Sequence, residues 1–396
     1  MTGKGAVDPS AEPVPSGVEG LRVGSVDGSG QGRGDGRGGR AGDGEVLSPS
    51  RVSTSSIVST MRSPLGSTLS IPPAPAAPPI ISVRDLRLSA AGEHRPVRIL
   101  RGIELDIPSG RSIGFVGESG SGKTLTALAI MGLAGHGGVT VDAGEIVFDG
   151  RAMHTMNTKE RREIVGSEIA MVFQDPMTAL DPLYRVSSTI EETARAHAGS
   201  AQELAEILAR AREVFASLML TPYERITASY PFELSGGQRQ RVMIALALML
   251  RPRVIIFDEP TTALDATVQV QILSLIGDVR AAHPEMSIIF ISHDIHLIRA
   301  VSDTVHVFYA GQIVETMDSA TIMTGARHPY TLGLIGSLPV PGRTRLTPIP
   351  GRLDISSIPD GTCVFFDRCE RADEGCRTDI PVTDLESGHT VRCRKA

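Results

Sequence analysis

An α/β fold built on a parallel sheet is what this sequence predicts, and three observations carry the expectation. Residues 113–116, 254–257 and 287–291 are continuous apolar runs, each too short for a helix and each ending in polar residues. Unbroken runs of that kind suit strands covered on both faces. The first run leads into a glycine-rich loop and then a helix former at 125–131, the strand–loop–helix order of an α/β unit. Residues 181 to about 232 carry helical spacing, many alanines and few strand formers, which predicts a helical insertion.

Length and composition bound the rest. A chain of 396 residues exceeds an average domain, so one large domain with appendages, or two domains, is expected. The net charge of −6 argues against a protein held to nucleic acid by bulk positive charge, and no nucleic-acid partner is expected. No stretch approaches the roughly 18 to 20 apolar residues that span a bilayer. The longest candidate, 242–250, is flanked by Arg241 and Arg251. With no apolar segment at the N-terminus, a secretory signal is not expected, and a cytoplasmic location is. Residues 1–79 lack Phe, Trp and Tyr, and the first 50 hold 14 of the 42 glycines. Such a segment cannot bury enough apolar surface to offset chain entropy, so it is expected to be disordered, ending in the extended linker PPAPAAPP at 72–79. The glycine loop is not repeated, which makes this a single copy of its unit.

That loop is Gly117, Glu118, Ser119, Gly120, Ser121, Gly122, Lys123 and Thr124, a match to G-x-x-x-x-G-K-[ST] between an expected strand and an expected helix. Glycines let backbone N–H groups close on phosphates, and the helix N-terminus adds its dipole. Lys123 can reach the β and γ phosphates of ATP while Thr124 offers a hydroxyl to Mg²⁺. The run 254–257 ends in Asp258 and Glu259, placing two carboxylates at the C-terminal end of a buried strand, where ligands of open α/β sheets bind. Asp258 is suited to hold Mg²⁺ and Glu259 to polarise an attacking water as general base. A third strand delivers His293 to the same edge. Ser235, Gly236, Gly237 and Gln238 open an apolar helix pattern, 239–250, and form a second anion-type helix start. Two such sites about 115 residues apart raise the question of one nucleotide shared between two subunits.

Taken together and in this order, these elements resemble the ATP-binding subunits of ABC transporters over about residues 80–396. The loop 117–124 resembles their Walker A, Gln174 in MVFQDP the Q-loop, LSGGQ at 234–238 the signature, and 254–259 Walker B. TALD at 262–265, with Asp265, resembles the D-loop, and His293 the switch histidine. The resemblance implies a RecA-like parallel-sheet core at 80–327, an antiparallel β subdomain, a helical subdomain at about 175–233, and an extension at 328–396. It also implies a catalytic set of Glu259, His293 and Gln174, the last also at Mg²⁺, and a head-to-tail dimer in which Ser235 to Gln238 act on the partner's ATP. Two permease subunits, an extracytoplasmic solute-binding protein and a peripheral position on the cytoplasmic membrane face follow from it.

QDPMTALDP at 174–182, SYPFELSGGQRQRVMIALAL at 229–248 and HPYTLGLIGSLP at 328–339 resemble the oligopeptide, dipeptide and nickel importer group. Peptides are the expected cargo, with nickel, opines or another small solute as alternatives, and a non-transport ABC ATPase as the rival from another class. Two positions depart from that group: Ala90 stands where an aromatic commonly stacks on adenine, and Phe232 where a histidine is frequent.

All four cysteines, Cys363, Cys369, Cys376 and Cys393, fall in the last part of the chain. Four soft thiolates suit Zn²⁺ or an iron–sulfur cluster, and the spacing lacks the C-x₂₋₄-C pairs of structural zinc. The tail resembles that of peptide importer subunits, which implies a [4Fe-4S] cluster, with Glu370 where the family commonly has proline.

Overall fold

The computed structural model describes residues 78–396, apart from 93–94, 136–137, 262–264, 340–347 and 387. The glycine-rich segment, nearly all of the proline-rich linker and the first three residues of TALD, on which expectations were placed, lie outside the described residues.

The described strands, in chain order, are β1 (Ile81–Ala90), β2 (Val97–Ile107), β3 (Ser112–Val116), β4 (Val139–Phe148), β5 (Arg151–Ala152), β6 (Ile169–Val172), β7 (Val254–Asp258), β8 (Ser287–Ser292), β9 (Thr304–Tyr309), β10 (Gln312–Asp318), β11 (Thr383–Glu386) and β12 (His389–Val391). They form two sheets. One is antiparallel with the order β2-β1-β4-β5, and the other is mixed with the order β11-β12-β10-β9-β3-β8-β7-β6. Within the second, β6, β7, β8, β3 and β9 run parallel, so the expected α/β class holds.

Every residue of β3, β7 and β8 is buried. The reason is visible in how alternate side chains divide between two cores. Ile255, Phe257, Ile288 and Phe290 join one with Val186, Ile190 and Phe215 of the helical segment. Val254, Ile256, Ile289 and Ile291 join another with Ile81 and Leu88 of the antiparallel sheet. A strand with a core on each face has no solvent side to read as alternation.

The insertion consists of the helices Pro176–Ala179, Val186–His197, Ala201–Ser217 and Tyr223–Ala228. Ala201–Ser217 is capped by Ser200, whose side chain accepts from the Glu203 N–H, and it buries Ile207, Ala211 and Phe215. Their spacing of four puts them on one face, toward the sheet core.

The C-terminal extension is built into the sheet. β12 pairs with β10, Glu315 opposite Val391 and Thr316 opposite Thr390, and β11 then pairs with β12. Beneath this junction the Glu315 carboxylate, with a fully buried side chain, accepts from the N–H groups of Arg327 (2.6 Å) and His328 (3.1 Å) and lies 3.0 Å from His389 Nε2. One carboxylate thus ties β10, the extension's first helix and its last strand.

Candidate ATP site

The phosphate loop begins where β3 ends. Gly117 lies against the Phe308 carbonyl of β9, where a Cβ would come within 2.2 Å of the oxygen. Gly122, at φ +104, turns the chain into the helix Lys123–Ile130. Only glycine meets both demands, a close backbone approach and a left-handed residue at a helix start. Lys123 is 5 % exposed and curls back, donating to the carbonyls of Gly117 (2.8 Å) and Glu118 (2.9 Å) and to Ser121 Oγ (3.3 Å). Burial lowers its pKa, opposed by the negative charges of Glu259, Asp258 and Glu118. Ser119, Gly120 and Thr124 face solvent at the mouth of the loop.

Three more strand ends bring their residues to this edge. The Thr124 hydroxyl donates to Asp258 Oδ1 at 2.9 Å. Asp258 is buried, and burial raises its pKa, with the Thr124 hydrogen bond opposing. Glu259 follows in the left-handed region at φ +43, its N–H bonded to the Ile291 carbonyl of β8. Its Oε2 lies 3.3 Å from Gln174 Nε2, just beyond β6, and 3.3 Å from His293 Nδ1, just beyond β8. The hydrogen bond to Glu259 raises the His293 pKa, with burial opposing. Gln174, Asp258, Glu259, His293 and the phosphate loop are therefore assembled at the C-terminal edge of four parallel strands.

Ser235 to Gln238 are arranged differently. Ser235 caps the helix Gly236–Leu248: its Oγ accepts from the Gln238 N–H (3.3 Å), and its own N–H donates to Gln238 Oε1 (3.0 Å). This reciprocal box satisfies donors at a helix start. Gly237 packs on the helix Ala266–Ala282, where a Cβ would lie 3.0 Å from Val268 Cγ1. Asp265 caps that helix, accepting from the N–H groups of Thr267 and Val268, both at 3.0 Å. Among the described residues, no hydrogen bond or ion pair joins 235–238 to the phosphate loop of the same chain.

The four cysteines converge on one pocket of about 10 Å³, which His328, Phe365 and Phe366 also line. That is about the space of one water. The Cys363 N–H donates to the Cys376 carbonyl at 3.0 Å. Burial pushes the Cys363 thiol up to about 11 and raises Cys369 and Cys393 as well. Among the described residues, no group of three or more His, Cys, Asp or Glu is disposed to hold a metal ion as the side chains stand.

Two residues at the loop escaped the sequence reading. The Glu118 N–H donates to the Tyr330 hydroxyl (2.8 Å), and its carboxylate receives both Nη atoms of Arg368 (2.7 and 3.1 Å). In the sequence HPYT carries only a resemblance, yet it sets this geometry: His328 caps the helix Pro329–Gly336 by accepting the Tyr330 N–H, and Pro329 takes the first helical position.

A family model described as ABC transporter matches residues 100–262, and one described as the oligopeptide/dipeptide transporter C-terminal region matches 314–376. A dipeptide transport ATP-binding protein of Escherichia coli is 38% identical over 318 residues, covering 79% of this chain and 96% of its own. The chain belongs to the ABC transporter ATP-binding proteins. A probable peptide ABC transporter ATP-binding protein of Sinorhizobium fredii is 39% identical over 323 residues, 81% of this ABC subunit and 96% of the relative. Among solved structures, a dimeric bacterial ABC transporter cassette superposes with a TM-score of 0.52 at 26% identity, over 60% of this chain and 98% of that one. A dimeric post-hydrolysis cassette bound to ADP and phosphate superposes equally, at 25% identity. This ABC subunit is thus an ATPase that works with ATP and Mg²⁺, and among its described residues no helix is long and apolar enough to cross a membrane.

Proposed function

We propose that this ABC subunit drives the import of di- and oligopeptides. The observation that carries the cargo is the match of 314–376 to the C-terminal region of oligopeptide and dipeptide transporters, a region that begins within β10 and through it pairs with β9 of the main sheet.

In this reading the loop amides and Lys123 hold the phosphates, whose charged oxygens outcompete the neutral carbonyls that Lys123 otherwise meets. Thr124 and Asp258 fit Mg²⁺: hard oxygen donors 2.9 Å apart, with the hydroxyl proton turned to the carboxylate so that its lone pairs are free for the metal. Bound there, the ion neutralises charge on the phosphate oxygens. Glu259 takes the proton of the attacking water, held in place by Gln174 and His293 on its Oε2. Ser235, Gly236, Gly237 and Gln238 serve the ATP of a second cassette, identical or paralogous, and Asp265 lies at the same interface. The likeness to cassettes solved as dimers supports that arrangement.

Met177, Leu183 and Tyr184, all exposed and close after Gln174, offer apolar side chains to two membrane-embedded permease subunits, which would hold the protein at the cytoplasmic membrane face and link it to an extracytoplasmic binding protein. For the cysteine pocket the reading is a soft-metal site, [4Fe-4S] or alternatively Zn²⁺, supported by four thiols from separate positions lining one pocket. The burial-raised thiols and the small pocket mean that loading must both deprotonate and part them. Anaerobic purification with iron, sulfide and zinc analysis tests it, and a protein lacking all three overturns it.

Cargo is tested by uptake of a labelled dipeptide in cells deleted for the gene. Uptake restored by the wild type and not by Glu259→Gln supports peptide import. Unchanged dipeptide uptake in the deletion, with loss of nickel or another solute, overturns it.

A further inference from the structure

Glu118 commits each of its polar groups. Its carbonyl accepts from Lys123 Nζ and from the Ser121 N–H, its own N–H goes to Tyr330 and its carboxylate to Arg368. Two of the four partners thus come from the C-terminal extension, from residues 212 and 250 positions away.

Both partners are themselves fixed. The Arg368 side chain is 8 % exposed, its Nε donates to the Pro350 carbonyl (2.7 Å) and its Nη1 to the Tyr309 hydroxyl (3.3 Å). Its guanidinium carbon sits 5.7 Å from the Tyr309 ring centroid. Tyr330 is fully buried, its ring 4.5 Å from that of Tyr309 and 5.5 Å from that of Phe365. A two-pronged arginine–carboxylate pair fixes orientation as well as distance.

We propose that Tyr330 and Arg368 are positioning residues for ATP: by locking the Glu118 peptide they hold the phosphate loop, and the carbonyl on which Lys123 rests, in the conformation that takes phosphate. A preorganised loop binds without the cost of ordering. Freeing the backbone of one residue corresponds to about a 5- to 30-fold loss of affinity. The same contacts read as mere docking of the extension would affect stability and leave ATP affinity alone.

The test uses the full chain with Arg368→Ala, Tyr330→Phe, Glu118→Gln and the Arg368→Ala/Glu118→Gln pair. Calorimetric Kd for Mg-ATP, KM, kcat and thermal unfolding are measured for each. Arg368→Ala is expected to raise Kd and KM about 5- to 30-fold with kcat within about twofold, the pattern of lost binding shared by ground and transition states. Tyr330→Phe, which removes one hydroxyl, should raise Kd about 2- to 10-fold. The double variant should match Arg368→Ala alone, since both remove one interaction. Unchanged Kd in folded variants overturns the proposal, as do strictly additive effects of Arg368→Ala and Glu118→Gln. Should Arg368→Ala fail to fold, the near-isosteric Tyr330→Phe and Glu118→Gln decide by the same criterion.

Discussion

The hydroxyl of Thr124 donates to Oδ1 of Asp258 at 2.9 Å, joining the end of the phosphate loop to the end of β7. Besides offering oxygens of its own to a metal, an Asp258 that orients this hydroxyl fixes a second ligand in place. Losses of 10- to 100-fold in metal affinity are typical of such positions. Asp258→Asn should therefore raise the Mg²⁺ concentration for half-maximal ATPase by about that factor, as read from a Mg²⁺ titration at saturating ATP. An unchanged titration curve would remove Asp258 from the metal site.

Glu259→Gln keeps the shape of the side chain and removes the base. Turnover is expected to drop by about 10² to 10⁴, with ATP affinity retained, because Lys123 and the loop are untouched. Equilibrium binding alongside single-turnover hydrolysis checks both halves, and hydrolysis at the wild-type rate would dismiss the assignment.

The pair of His293 and Glu259 gives a pH signature. The hydrogen bond to Glu259 raises the His293 pKa above its ordinary 6.5. The charge-assisted contact is complete below that value and is lost as pH rises through the raised pKa. The pH profile of kcat should thus show an alkaline limb that His293→Gln flattens. The acid limb should persist, because burial raises the Asp258 pKa independently. Superimposable alkaline limbs in the two proteins would count against this role.

Away from the chemistry, Glu315→Ala should cost roughly 2–6 kcal/mol of stability, at about 1–3 kcal/mol for each of the two backbone N–H donors left without an acceptor. It strands the N–H groups of Arg327 and His328 and leaves His389 without its carboxylate. Urea denaturation at neutral pH measures this. A loss below about 1 kcal/mol would mean that water replaces the carboxylate.

Much of this was legible in the sequence, for physical reasons. β3, β7 and β8 stand between two cores and so are apolar throughout, and the residues after them are of types that phosphate and metal chemistry demand. The helix Gly236–Leu248 announces its start through a serine and glutamine in a capping arrangement. β1 was harder, because its register shifts between Val83 and Leu86 and again after Leu88, breaking the alternation that marks a strand. β11 and β12 are short and polar, so nothing in TDLE or HTV points to a sheet. The hold of Tyr330 and Arg368 on Glu118 spans more than 200 residues, and no local pattern encodes a contact of that range.

The pairing of β12 with β10 also governs how the protein behaves among its neighbours. Without it, β10 would end the sheet with open N–H and C=O groups beside Ile313 and Val314, a template for pairing with other chains. The hairpin moves that boundary outward to a strand of four residues carrying the charged Asp384, and short charged borders resist such pairing. Beyond its contacts with the phosphate loop, the extension thus replaces a long apolar border of the sheet with a short polar one.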